Sequence, residues 1–257
     1  MTHTPVLLTK NDNIATLTLN RPKIRNAFDN LLILALTEHL QTLNQDNNIR
    51  VVILKSAGDH FSSGADLNWM RNMVNFSAHQ NRNDAKQLAT IMRTIHTLSK
   101  PTIVAIQGAV FGGAVGLVAC ADFAIATTNS KFCLSEVKLG LSPAVICPYL
   151  VQAIGTLAAK RLMLTAESFS AKQAKTLGLI YKVVSNNNLT TTIASLTKQL
   201  INNAPNAIAK TKTLLQTVSP IDETVENFTI NLIASLRTSP EGQEGLAAFL
   251  EKRSPCW

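Results

Sequence analysis

Two short glycine-bearing loops and one glutamate carry the chemistry that this sequence could do. The loops are Phe61-Ser62-Ser63-Gly64-Ala65-Asp66 and Val110-Phe111-Gly112-Gly113-Ala114, and the acid is Glu136, within "KFCLSEVKLGLSPA". Each loop sets small residues between an apolar run that reads as a buried strand and a short helical stretch. A sharp turn there draws on glycine. The first N–H groups of the helix that follows have no intrahelical acceptor. They sit at the positive end of the helix dipole and favour an anionic oxygen. Two such donors aimed at one point would form an oxyanion hole. One such loop alone reads more simply as tight packing, and a lone Glu as a solvated side chain, so Glu136 gains meaning only from the two loops. Neither loop is a GxGxxG or GxxxxGK[ST] fingerprint, so a dinucleotide or ATP site is not indicated.

The elements that must hold these groups follow from apolar patterning. "PVLLTK" and "NIATLTLN", separated by "NDN", predict a hairpin. Asp29 caps a helix running to about Asn44, and Asp66 caps the short helix "LNWMRNM". A longer helix is expected from about Asn81 to Leu98. "VVILKSAG", "TIVAIQG" and "DFAIAT" read as continuous buried strands. With "AVGLVACA" as a helix between the last two, the alternation predicts parallel strands joined by crossovers. Further on, Ser170 is an N-cap and Gly178 a helix stop, and everything from about Leu189 is helical, with Pro205 and Pro240 at helix starts. The division expected is an α/β core over residues 1–188 and a helical region over residues 189–257.

Composition narrows the function. The chain has 257 residues, 46% hydrophobic and 16% charged, which is globular and long enough to bury a core without disulfides or metals. Cys120, Cys133, Cys147 and Cys256 form no CxxC pair and have no His at ligand spacing, so reduced thiols in a cytoplasmic protein are expected, Cys133 among them as a buried inert thiol. No metal site is indicated. The N-terminus shows no signal or transit pattern. The net charge of +8 is scattered, with no Arg-rich run or interleaved aromatics, which argues against nucleic-acid recognition and for a phosphorylated small molecule. The stretch Gln107 to Ala126 is almost wholly apolar, but its run free of polar side chains is too short to span a membrane.

Taken together, "NRPKIRNAFD", "HFSSGADL", "KPTIVAIQGAVFGGAVGLVACADFAIA", "FCLSEVKLGLSPA" and "EGQEGLAAFLEKRSP" resemble, in order and over nearly the whole chain, the crotonase superfamily of enoyl-CoA hydratases and isomerases. The resemblance implies an α/β fold, a spiral of ββα units with a C-terminal helical trimerisation region, assembled as homotrimers or hexamers. It implies an acyl-CoA substrate, with coenzyme A as part of the substrate and no separate cofactor. The two oxyanion donors match the backbone N–H groups of Ala65 and Gly113, and the acid–base residue matches Glu136. Ile24, Arg25, Ala27, Ser63, Gly64, Asp66 and Leu67 match the region that holds pantetheine and adenine, where Arg25 reads equally well as a surface arginine. Gly112, Gly116 and Ser135, beside the catalytic groups, are expected among the residues that bind the acyl-CoA. Phe249 and Lys252 match tail positions that close over the CoA.

Family hydratases use two glutamates about one water. The first would stand twenty positions before Glu136, and that residue is Gly116. The local pattern is similar to a bacterial branch of methylglutaconyl-CoA and isohexenylglutaconyl-CoA hydratases, from leucine and acyclic-terpene degradation, which also carries Gly there. Those substrates bring their own carboxylate, and an open volume at Gly116 is expected to admit it or a water it orients. The resemblance therefore implies a hydratase. The alternatives are an isomerase working with Glu136 alone, or a CoA-binding member without activity.

Overall fold

The computed structural model describes residues 4–217 and 222–255, and in it the expected hairpin forms from β1 (Val6–Asn11) and β2 (Ile14–Leu19), with Val6 opposite Leu19. β2 then pairs in parallel with β3 (Val51–Ser56), β3 with β4 (Thr102–Ile106), β4 with β6 (Phe123–Thr127) and β6 with β9 (Lys182–Val184). The six strands run in the order β1-β2-β3-β4-β6-β9. Every residue of β4 is buried, as a parallel strand covered on both faces requires. Alternate residues point to opposite faces. Val52, Val104 and Ala124 enter the main core, whereas Val51, Ile103 and Ile125 meet Leu196 of α7 (Leu189–Asn202).

The strand expected over "TIVAIQG" stops short, and the apolar run continuing to Phe111 divides between two sheets. β4 ends at Ile106, and β5 (Ala109–Phe111) joins a second sheet, β5-β7-β8, with β7 (Lys131–Cys133) and β8 (Ser168–Ser170). The break is at Gly108, whose φ is +61°, and a Cβ there would overlap the Asp59 carbonyl oxygen. Only glycine combines that backbone with that close approach. Strand, strand and helix recur as β1-β2-α1 and β4-β5-α4, where α1 is Asn30–Gln45 and α4 is Gly113–Cys120.

The caps expected from sequence are formed. Asp29 accepts the Leu32 N–H, Asp66 accepts those of Asn68 and Trp69 at the start of α2 (Leu67–Met73), and Ser170 forms a capping box with Gln173 in α6 (Ala171–Thr176). One start differs: α3 (Ala78–Thr97) begins before Asn81, because Ser77 and Gln80 make a reciprocal capping box. In the tail, α8 (Pro205–Thr217) precedes α9 (Glu223–Thr238), which packs on α3, and α10 (Pro240–Glu251) lies on α2 and on the 3₁₀ turn Glu136–Leu139. A Cβ on Gly245 of α10 would overlap the Leu139 carbonyl, so the helix rests backbone to backbone on the turn that begins with Glu136. α5 (Cys147–Thr165) follows that turn and is bent at Gly155, φ +75°. Cys120, Cys133 and Cys147 are free thiols, and Cys256 lies outside the described residues. No helix among the described residues is long and apolar enough to cross a membrane.

Candidate active site

The two glycine loops are stitched to each other. Phe61 and Ser62 donate their N–H groups to the carbonyls of Gln107 and Ala109, and Phe111 donates to Ser62. On its other side the first loop pairs with Phe28: the Phe28 N–H donates to Gly64 and the Asp66 N–H to Phe28. This alternation turns the intervening Ala65 N–H away from Phe28. Among the described residues it reaches no protein acceptor. In the second loop the Gly112 N–H donates to Cys133, and α4 begins at Gly113, whose N–H is one of the orphan donors of a helix start. Gly64 (φ +92°) and Gly112 (φ +54°) hold the turns.

Asn26 is the hub beneath this arrangement and carried no signal in the sequence reading. It is fully buried, its Nδ2 donates to the carbonyls of Ala57 and His60, and its Oδ1 accepts the Arg21 N–H. Arg21 in turn donates to the Ala27 carbonyl, pairs with Asp29 at 2.7 Å and approaches Asp66 at 3.5 Å. The loop before α1 and the loop before α2 are thereby locked together.

Glu136 opens its 3₁₀ turn just beyond β7, and Oε1 would lie 3.4 Å from a Cβ on Gly112. Its Oε2 is buried and has no hydrogen-bond partner. Burial pushes the carboxyl up to about 7, with its own backbone N–H pulling the other way. A carboxyl poised there can both take and return a proton near neutral pH.

These groups share one cavity of about 340 Å³. Ser63, Gly64, Ala65, Gly112, Gly113, Ser135, Glu136 and Phe249 all line it. Its remaining wall is largely apolar, with Phe28, Trp69, Leu88 and Ile233 prominent. Ile24 and Asp66 instead border a shallow neighbouring cleft with Arg21 and Asn68. Ala27 is buried and Leu67 is exposed, and neither lines either space. Arg25 is exposed, and its backbone carbonyl accepts the Ser63 N–H. Lys252 ends α10 in the left-handed conformation, φ +56°.

Gly116 does not border the cavity, and the open volume expected beside it is absent. It is buried in α4, where a Cβ would overlap Ile146 Cγ2 and fall 2.8 Å from Ile146 Cβ and 3.1 Å from Met92 Cε. Ile146 packs into the space that a side chain at 116 would need. Three cationic side chains in the cavity wall escaped the sequence reading: Arg237, from α9, Lys138, from the turn after Glu136, and Arg253, just past α10.

Comparison with known proteins gives a consistent picture. The family described as enoyl-CoA hydratase/isomerase matches residues 9–257. The carnitinyl-CoA dehydratase of Escherichia coli is 32% identical over 265 residues, covering 97% of this chain and 97% of that protein. The crotonyl-CoA hydratase of Syntrophomonas wolfei is 29% identical over 256 residues, covering 98% and 97%. Among solved structures, that of an enoyl-CoA hydratase from Shewanella pealeana is 43% identical, with a TM-score of 0.82 over 98% of this chain and 96% of that one.

Proposed function

The chain belongs to the enoyl-CoA hydratase/isomerase family, as an enzyme with the crotonase fold, and on that premise we propose that it adds water to a 2-enoyl-CoA. The observation that carries this reading is the shared cavity: a neutral-range carboxyl on Glu136, its Oε2 unpartnered, in one space with the unsatisfied N–H of Ala65 and the helix-start N–H of Gly113. The thioester oxygen sits between the two N–H donors. Glu136 takes a proton from water as its oxygen bonds to Cβ, and the π electrons move to the thioester oxygen as an enolate. The two fixed donors hold that charge. The enolate then collapses, and Cα takes the proton back from Glu136. One carboxyl thus serves as base and then as acid, with no net change.

Names of relatives favour hydration or its reverse, dehydration. The finer substrate reading is a glutaconyl-type acyl-CoA, which carries a second carboxylate. Gly116 gives that carboxylate no room, since Ile146 fills the space beside it, and the support comes from the cationic Lys138 and Arg237 in the cavity wall. Glu136→Gln is the direct test. Turnover of 3-methylglutaconyl-CoA should fall by about 10²- to 10⁴-fold while acyl-CoA binding persists. Near-normal turnover would remove Glu136 from the mechanism.

Ile146 favours one second reading. It adds an apolar group to the cavity that Glu136 lines, and a single carboxyl suffices to move a proton between two carbons of a 3-enoyl-CoA. A 2-enoyl product formed without water incorporation would select that isomerase reading.

For assembly, the exposed Leu214, Leu215 and Phe228 on α8 and α9 favour self-association as a homotrimer or hexamer, to be checked by the mass in solution. The free thiols favour a reducing compartment such as the cytoplasm.

A further inference from the structure

Among the charged groups that line the cavity without a part in the proposed reaction, Arg237 is the most deeply buried. Arg237 lines it from α9 while only 6% exposed, and its Nη1 donates to Asp84 Oδ2 of α3, itself 3% exposed. Asp84 Oδ1 and Trp69 Nε1 form no hydrogen bond of full geometry, but the indole N–H lies near enough to Asp84 to favour its ionised form. No protein acceptor among the described residues takes Nε or Nη2 of Arg237.

A buried ion pair is a poor stabiliser compared with apolar packing of similar volume. This one sits in an otherwise apolar wall, beside Ile233, Leu246 and Phe249. Asp84 fixes one edge of the guanidinium and leaves other donors uncommitted. Such an edge matches a carboxylate through two parallel N–H···O bonds. Lys138 also brings positive charge to the same cavity, as does Arg253, which is paired with Glu244 and Glu251. The alternative place for a substrate carboxylate, beside Gly116, is filled by Ile146.

We propose that Arg237 is the specificity-determining residue of this site, receiving a carboxylate at the far end of the acyl chain while Asp84 holds the guanidinium in position. The proposal rests on the hydratase reading above and names the part of the protein that would select its substrate.

The test compares two acyl-CoAs that differ by that carboxylate, 3-methylglutaconyl-CoA and 3-methylcrotonyl-CoA, in wild type and in the double variant Arg237→Met, Asp84→Asn. The double change removes both charges together, and Arg237→Lys alone is the second variant, keeping the charge without the fork. Wild type should prefer the carboxylated substrate. In the double variant the ratio of the two kcat/KM values should fall by about 10- to 100-fold, mainly through KM. Arg237→Lys should lose part of the ratio. A ratio unchanged in both variants, with both substrates weakened alike, assigns Arg237 to folding and overturns the proposal. Hydration of both substrates without preference in wild type overturns the proposal and the glutaconyl reading while leaving the hydratase intact. Absence of hydration of either substrate overturns the hydratase reading itself.

Discussion

Ile146 fills the space that a side chain on Gly116 would require: a Cβ built on Gly116 would overlap its Cγ2 and approach its Cβ to 2.8 Å. The two residues are one feature. The glycine lets α4 pack closely on the start of α5, and the isoleucine makes that contact apolar and dry. Gly116→Glu alone should therefore be destabilising by about 1–3 kcal/mol through overpacking, read as a lowered melting temperature. Combined with Ile146→Gly, the new carboxyl gains room on the side where Ile146 lines the cavity it shares with Glu136. The double variant should then hydrate crotonyl-CoA faster than wild type, by about 10²-fold if the added group acts as a general acid–base partner. No gain in a folded double variant would show that the space does not face the reacting carbons.

Glu136 gives two pH dependences of opposite kind. Hydration needs it ionised at the start, so kcat/KM should rise with pH and level off above about 7, while dehydration, which needs it protonated, should fall over the same range. Its effect on stability runs downward. The folded protein holds the proton to about 7 and the unfolded chain only to about 4.5, so between these values the native state binds more protons. That contribution is fully present below pH 4.5 and is lost as pH rises through 7. Glu136→Gln should accordingly be more stable than wild type at pH 8, by on the order of 2–3 kcal/mol, and by much less at pH 4.5. Parallel melting curves at the two pH values measure it. Equal differences at both would mean that the carboxyl is not buried as described.

Gly113 tests the oxyanion donors, because no change of side chain removes a backbone N–H. Gly113 is the first residue of α4, a position where proline fits a helix. Gly113→Pro should leave the melting temperature close to wild type and reduce kcat by about 10²- to 10³-fold. A folded variant with nearly full kcat would place the developing charge elsewhere.

Asn26 carries a structural prediction. Asn26→Ala takes the donor from the Ala57 carbonyl and the acceptor from the Arg21 N–H, and leaves the His60 carbonyl with the Ser56 hydroxyl alone. A loss of about 1–3 kcal/mol is expected from chemical denaturation, and with it a loosened 61–66 loop and weaker acyl-CoA binding. A neutral effect on both would mean that Arg21 alone holds the two loops.

What the sequence determined by itself is local. Alternating and continuous apolar runs specified the hairpin and the buried parallel strands, because burial acts on side chains at a period set by the backbone. Asp29, Asp66 and Ser170 marked helix starts, because a cap is a bond between residues three apart. The glycine loops and Glu136 were legible as types at a spacing, and the structure brings them to one cavity. What only the tertiary structure decided are contacts between residues far apart in the chain. Gly108 splits one apolar run between two sheets because Asp59 presses against it. Ile146 occupies the place of Gly116's missing side chain. Arg237 and Asp84, 153 residues apart, meet in an apolar wall because α9 folds back onto α3. A spacing along the chain states which side chains a helix or strand presents. Which of them then exclude a volume or share a charge depends on the packing of elements against one another, and that packing is set by the whole core at once.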